Sequence, residues 1–142
     1  MKTQSVTAPE LGATLLRLAL GAMYLAHAGL KYFTFTMAGT VQFFQSVGYP
    51  GWTAYAVVAA ELVAGVLLIA GIKVRAVSLA MLPVLLGAAL VHLPNGWVFN
   101  AQGGGWEYPV FLAVASLVQA LVGEGAYALR WERSAGGYAQ RA

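Results

Sequence analysis

Tyr24, His27 and Lys31 follow one another at spacings of three and four residues. On a helix they form one stripe, a phenol, an imidazole and an amine in a row. Glu61, His92, Glu107 and Tyr108 supply further groups able to donate, accept or exchange protons. A quinone carbonyl accepts hydrogen bonds from His, Lys or Tyr, and its reduction consumes protons that His and Glu can carry. Two His with carboxylates could also ligate a metal or haem. His27 and His92 belong to no HxxxH or HExxH pattern, however, so no metal site is assigned. The chain contains no cysteine. That removes thiol nucleophiles, disulfide exchange and Cys-attached haem, so no covalent cofactor is expected. Quinone is the cofactor class the polar set suits. Gly103-Gly104-Gly105 is a flexible turn and not a phosphate loop, since no Lys-Ser or Lys-Thr follows it.

The elements that must position these groups are set by composition. Of 142 residues, 60% are hydrophobic and only 9% charged. A soluble domain carries about 25% charged residues, so this surface faces lipid. Four spans of about 20 residues with short connections use the whole length. They are expected over residues 11–33, 52–72, 76–93 and 108–129. Residues 1–10 form a cytoplasmic tail and 132–142 a polar tail, leaving 11–131 as one four-span domain. Val41-Gln42-Phe43-Phe44, in the first connection, could form a short interfacial helix. Pro83 should kink the third span, and Pro109 suits the first turn of the fourth. Small residues, among them Gly21, Ala60, Ala64, Gly65, Gly87 and Ala88, should let the helices approach closely. Lys2, the apolar run after it and Ala26-His27-Ala28 imitate a signal peptide. The apolar segment continues to Phe33, past the supposed cut, and is read as an uncleaved first span.

Direction follows from the bases. Lys2, Arg17, Lys73, Arg75, Arg130, Arg133 and Arg141 fall on one side, and only Lys31 on the other. Positively charged loops stay inside, so both termini are expected in the cytoplasm of a bacterial-type inner membrane. Trp52, Trp97 and Trp106 fit an outer aromatic belt and Trp131 the inner one. Those outer tryptophans, with Tyr108, could also flank a flat ring. The fold expected is all-α, a transmembrane four-helix bundle with antiparallel neighbours. The bases sit at helix ends and not on one face, so nucleic acid is not an expected partner. The lipid bilayer is.

Ionisable groups inside membrane helices are costly and usually face the bundle interior. At about 1.5 Å per residue, His27, Lys31, Glu61, His92 and Glu107 all lie in the outer half. Glu61 lies roughly 13 Å in from Trp52, too deep to reach water easily, so it pairs with Lys31 or His27 or carries a proton. Arg17 and Glu124 share the inner level and are expected to form a structural ion pair between the first and last helices. Each rim group also has a plain use. Lys31 and Glu107 can reach headgroups, and His92 can cap its helix.

At these residues the chain resembles the DoxX family of small four-helix membrane proteins. The likeness is carried by Leu16-Arg17-Leu18-Ala19-Leu20-Gly21 through His27-Ala28-Gly29-Leu30-Lys31, and by Phe43-Phe44 with Gly48-Tyr49-Pro50-Gly51. Glu61-Leu62 with Gly65, Trp106-Glu107-Tyr108-Pro109 and Gly125-Ala126-Tyr127-Ala128-Leu129 continue it. Together they span Leu11 to Trp131. Ala28 stands where Gly is usual in that family and Glu124 where Pro is common, which bears only on local backbone geometry. The resemblance implies a membrane protein linked to oxidoreductase systems, similar to quinone-linked subunits of sulfur-compound oxidation or to partners of thiosulfate-handling and superoxide-detoxifying proteins.

Two functions are therefore carried forward. One is a membrane subunit of a redox system whose outer pocket binds a quinone or a small acid. The other is a non-enzymatic scaffold or assembly factor, recruiting a redox protein partner through Lys73-Val74-Arg75. A homo-oligomer is left open. A transporter is disfavoured, since no broken-helix pair or inverted repeat is visible.

Overall fold

The chain enters its first helix through Thr7 and Glu10. Glu10 Oε2 accepts from both the Thr7 backbone N–H and the Thr7 hydroxyl, each at 2.8 Å, which ties down the start of a helix. The structure, a computed structural model, describes residues 5–129. Lys2, Arg130, Trp131, Arg133, Arg141 and the tail at 132–142 lie outside the described residues. Helix α1 runs Ala8–Gly29 and continues into a π turn, Leu30–Thr34. Then come α2 (Thr36–Ser46), α3 (Trp52–Ala70), α4 (Val74–His92) with a 3₁₀ turn Leu93–Asn95, and α5 (Glu107–Val122). No strand occurs among the described residues. The short helix expected within the first connection is thus a full three turns.

Three of these helical segments, Ala8–Thr34, Trp52–Ala70 and Val74–Asn95, are long and apolar enough to cross a membrane. Their outward positions are apolar too. Leu15, Val66 and Leu90 are exposed, the reverse of a soluble helix. This is a membrane protein. The last helix is shorter than expected. It stops at Val122 because Gly123 takes φ of +87°, a left-handed conformation that glycine reaches without strain. Helix α4 continues through Pro83, which gives up one backbone bond without ending it.

Helix α1 packs chiefly on α3, and α4 chiefly on α5. The first pairing depends on two glycines. A Cβ on Gly21 would stand 2.9 Å from the Gly65 carbonyl oxygen, and one on Gly65 would stand 2.9 Å from the Gly21 carbonyl oxygen. Only bare backbones can approach so closely. Gly87, expected to act similarly, does not. Nothing nearer than the Tyr49 hydroxyl, at 3.9 Å, would meet its Cβ. The two pairs share a core that includes Leu20, Leu68, Met81, Leu85 and Leu112.

At the end holding the α3–α4 turn, Arg17 is 1% exposed. Its Nη1 donates to the Leu68 and Ile69 carbonyls at 2.8 and 2.6 Å. Nε donates to the Glu124 carbonyl at 3.1 Å and Nη2 to the Ala126 carbonyl at 3.2 Å. The expected Arg17–Glu124 ion pair is therefore corrected: residue 124 meets the guanidinium through its backbone oxygen. The physical reason is supply. The last turn of α3 leaves carbonyls without helical partners, and the glycine-rich turn after α5 adds more. The same turn is held by Thr14, whose hydroxyl lies 2.9 Å from the Ala126 carbonyl, and by the Leu129 N–H on the Ala70 carbonyl at 3.0 Å.

Candidate functional site

At the other end the helices border a partly open cavity of about 440 Å³. That falls within the usual range for small-molecule sites, about 300–1,000 Å³. Tyr24, His27, Lys31, Glu61, His92 and Tyr108 all border it. Six of the seven sequence candidates for ligand contact thus meet at one place, contributed by α1, the π turn, α3, α4 and α5.

The π turn begins with Leu30, whose carbonyl accepts the Phe35 N–H at 2.9 Å across five residues. Such turns lodge an extra residue in a helix and often mark functional sites. Because it starts after residue 29, the stripe Tyr24–His27–Lys31 keeps its common face. Lys31 Nζ reaches both oxygens of Glu61, at 2.7 and 2.9 Å. The Glu61 side chain is 8% exposed and that of Lys31 18%. Buried charges persist only when paired and hydrogen-bonded, so each explains the other. The Lys31 carbonyl, at the widened turn, lies 2.9 Å from the Thr40 hydroxyl of α2.

Tyr24 is 1% exposed, and its hydroxyl lies 2.6 Å from Ser116 Oγ. This bond joins α1 to α5 beside the cavity. The His27 ring stacks on Tyr108, with centroids 5.5 Å apart and planes 19° from parallel. His27 Nε2 lies 3.3 Å from the Tyr108 hydroxyl. At the rim, His92 ends α4. Its Nδ1 lies 3.0 and 3.2 Å from the Gly103 and Gly104 carbonyls.

Glu107 is not brought to the cavity. Its Oε1 accepts the Phe99 backbone N–H at 2.9 Å, pinning the loop before α5 and satisfying a donor that loop would leave unpaired. The tryptophans expected as possible ring-flanking groups lie elsewhere. Trp97 and Trp106 pack edge to face on each other at 4.5 Å, and Trp52 is 69% exposed. The aromatic walls come instead from Phe43, Phe44 and Tyr49 of α2 and the turn after it.

Those roof residues and Ser116 were missed as site residues. Phe43 and Phe44 carried only an interfacial signal, since nothing in their spacing says that α2 folds back over α3. Ser116 carried a usable one. A hydroxyl inside an apolar helix needs a partner, and its partner is Tyr24. The remaining wall is aliphatic, from Val57, Val84, Leu85 and Leu112. Among the described residues no three His, Asp or Glu side chains gather as a metal-ligating set. The arrangement can therefore hold a flat, mainly apolar molecule whose polar edges meet an ammonium, a phenol and imidazoles.

Comparison with known proteins gives two matches. A family model described as DoxX matches residues 12–93, a stretch that includes Tyr24, His27, Lys31, Glu61 and His92. A protein of Bacillus subtilis (strain 168) named "Putative oxidoreductase CatD" is 37% identical over 115 residues, covering 80% of this chain and 81% of that protein. No solved structure matches the chain.

Proposed function

The chain belongs to the DoxX family, and from that membership we propose that it is a membrane subunit of a redox system whose cavity binds a quinone or a small acid. The observation that carries this reading is the Lys31–Glu61 ion pair, nearly buried and bordering a mainly apolar cavity. A charge pair that served only to join helices would gain nothing from standing beside open space. A quinone ring suits the aromatic roof and aliphatic walls, and its carbonyl oxygen would accept from Lys31 or Tyr108. When bound, such a ring supplies two-electron redox chemistry. The protein's part is to orient it, exclude lipid and hold protons near its oxygens at His27 and Glu61. The oxidoreductase name of the B. subtilis relative supports the redox half of the proposal.

In the same reading α5 crosses as a fourth span beside the three longer ones, closing an antiparallel four-helix bundle in a bacterial inner membrane. Its 16 residues give about 24 Å, against a hydrocarbon core of about 30 Å. The glycine-rich turn clamped by Arg17 makes up the remainder. Lys73 and Arg75, at the α3–α4 turn, and the basic termini support a cytoplasmic position for that end. The cavity then opens in the outer half.

The test is ligand-dependent thermal stability of the purified protein in detergent. A short-chain benzoquinone raises Tm in wild type, and Glu61→Gln and His27→Ala abolish the rise. If quinones and small carboxylic acids leave Tm unchanged, the cavity reading fails and the scaffold function takes its place.

A further inference from the structure

The loop between α4 and α5 fixes more than the position of His92. Nδ1 of that ring faces two carbonyl oxygens, Gly103 at 3.0 Å and Gly104 at 3.2 Å. A carbonyl only accepts, so Nδ1 must carry the hydrogen. Asn95 Nδ2 donates to the same two oxygens, at 3.0 and 2.9 Å, so the carbonyls are held in place independently of the histidine. In a neutral imidazole the second nitrogen is then an acceptor. No described residue takes Nε2, and His92 borders the cavity.

At the Lys31 side the polarity is opposite. Two of the ammonium hydrogens are directed to the Glu61 oxygens, and the third is available as a donor. The cavity thus presents a donor at Lys31 and an acceptor at His92. A quinone carries only acceptor oxygens, so its far carbonyl would set a lone pair against His92 Nε2. A hydroquinone can satisfy both ends. One of its oxygens accepts from Lys31, and the hydroxyl at the other donates to Nε2.

We infer that His92 is the acceptor for a ligand hydroxyl and that the cavity favours the reduced, hydroxyl-bearing form of its aromatic ligand over the quinone. This rests on the proposal that the cavity binds a quinone-type ring, and it adds the redox form that is held. A ring nitrogen set against a carbonyl lone pair by the quinone, and against a hydroxyl by the hydroquinone, sets the discrimination at about tenfold.

The experiment is anaerobic calorimetric titration of the full-length protein in detergent with trimethylhydroquinone and with trimethyl-1,4-benzoquinone. Wild type is expected to bind the hydroquinone about tenfold more tightly. His92→Asn places an amide where Nδ1–H stood, keeping the loop bonded and deleting Nε2. It should bring the two Kd values within about twofold, by weakening the hydroquinone. A second measurement needs no variant at this position. The chain has two histidines, so ¹⁵N-histidine spectra of wild type, with His27→Ala for assignment, report His92 directly. Nε2 should be of the unprotonated type and should move on adding hydroquinone but not quinone. Equal affinities, tighter quinone binding, a preference that survives in His92→Asn, or a protonated Nε2 overturns the inference while leaving the cavity reading intact. Binding of neither form overturns both.

Discussion

Arg17 and Lys31 are both cations carried by the first helical segment, and the protein treats them in opposite ways. Arg17 is surrounded by backbone. Four carbonyl oxygens from α3 and the turn after α5 receive its guanidinium, and no side chain or open space is involved. Lys31 is paired with a side chain, Glu61, at the wall of a cavity. Backbone carbonyls cannot titrate, and they move only if the helix they end moves. A carboxylate can gain a proton, rotate or share its partner with a ligand. The same problem, a charge within an apolar bundle, is solved once as a fixture and once as an exchangeable pair.

The contrast can be broken most severely at Arg17. Replacing it by Leu orphans carbonyls at the ends of two elements and should cost about 3 kcal/mol or more, read by unfolding in mixed micelles. Arg17→Lys should recover only part of this, because an ammonium cannot span four oxygens in a fork. In material that remains folded, quinone affinity should match wild type. A loss of affinity proportionate to the stability change would erase the distinction between the two ends.

At the cavity, Glu61→Gln should remove the ligand-induced Tm shift and cost about 2 kcal/mol, since it strands the Lys31 ammonium. The double variant Lys31→Met, Glu61→Leu sharpens the point. A buried pair replaced by apolar groups of similar volume is often neutral or stabilising, so stability should return while ligand binding stays absent. Recovery of binding in the double variant would show that the pair is structural only.

The two glycine classes give a smaller effect. Gly65→Ala drives a Cβ to 2.9 Å from the Gly21 carbonyl and should destabilise by about 1–2 kcal/mol. Gly87→Ala meets nothing closer than 3.9 Å and should be neutral or stabilise by about 0.5–1 kcal/mol through helix propensity. Unfolding midpoints of the two single variants decide this. The smallest change is expected for Glu107→Gln. The amide oxygen still accepts from Phe99 N–H, so stability should stay within about 0.5 kcal/mol and the ligand shift should be unaltered. A lost ligand shift would bring Glu107 back into the site.

Much of the arrangement was legible before any coordinates. The apolar runs marked the three long helices to within a few residues. So deep a carboxylate as Glu61 was expected to pair with Lys31 or His27 or to carry a proton, and Lys31 is the partner it takes. His92 was expected either in the polar set or as a cap on its own helix end; it borders the cavity, and its Nδ1 meets the loop carbonyls of Gly103 and Gly104 instead of the helix end. What misled was the assumption that opposite charges at one depth find each other. Arg17 and Glu124 do share a level, yet a turn of free carbonyls lies nearer than the carboxylate. Glu107 lies off the cavity for a related reason, since a loop N–H eight residues earlier takes its carboxylate.

Composition and periodicity alone determined that the chain belongs in a membrane, which segments are helical and which polar groups share a level. These are properties of each helix separately, set by the transfer energy of its own side chains and by the fixed rise per residue. Only the tertiary structure decided that α2 folds back as an aromatic roof, that Arg17 binds backbone and Lys31 a carboxylate, and that His92 turns Nδ1 to the loop. Such choices depend on which donor and acceptor lie within about 3 Å, a distance fixed by packing between elements and invisible within any one of them.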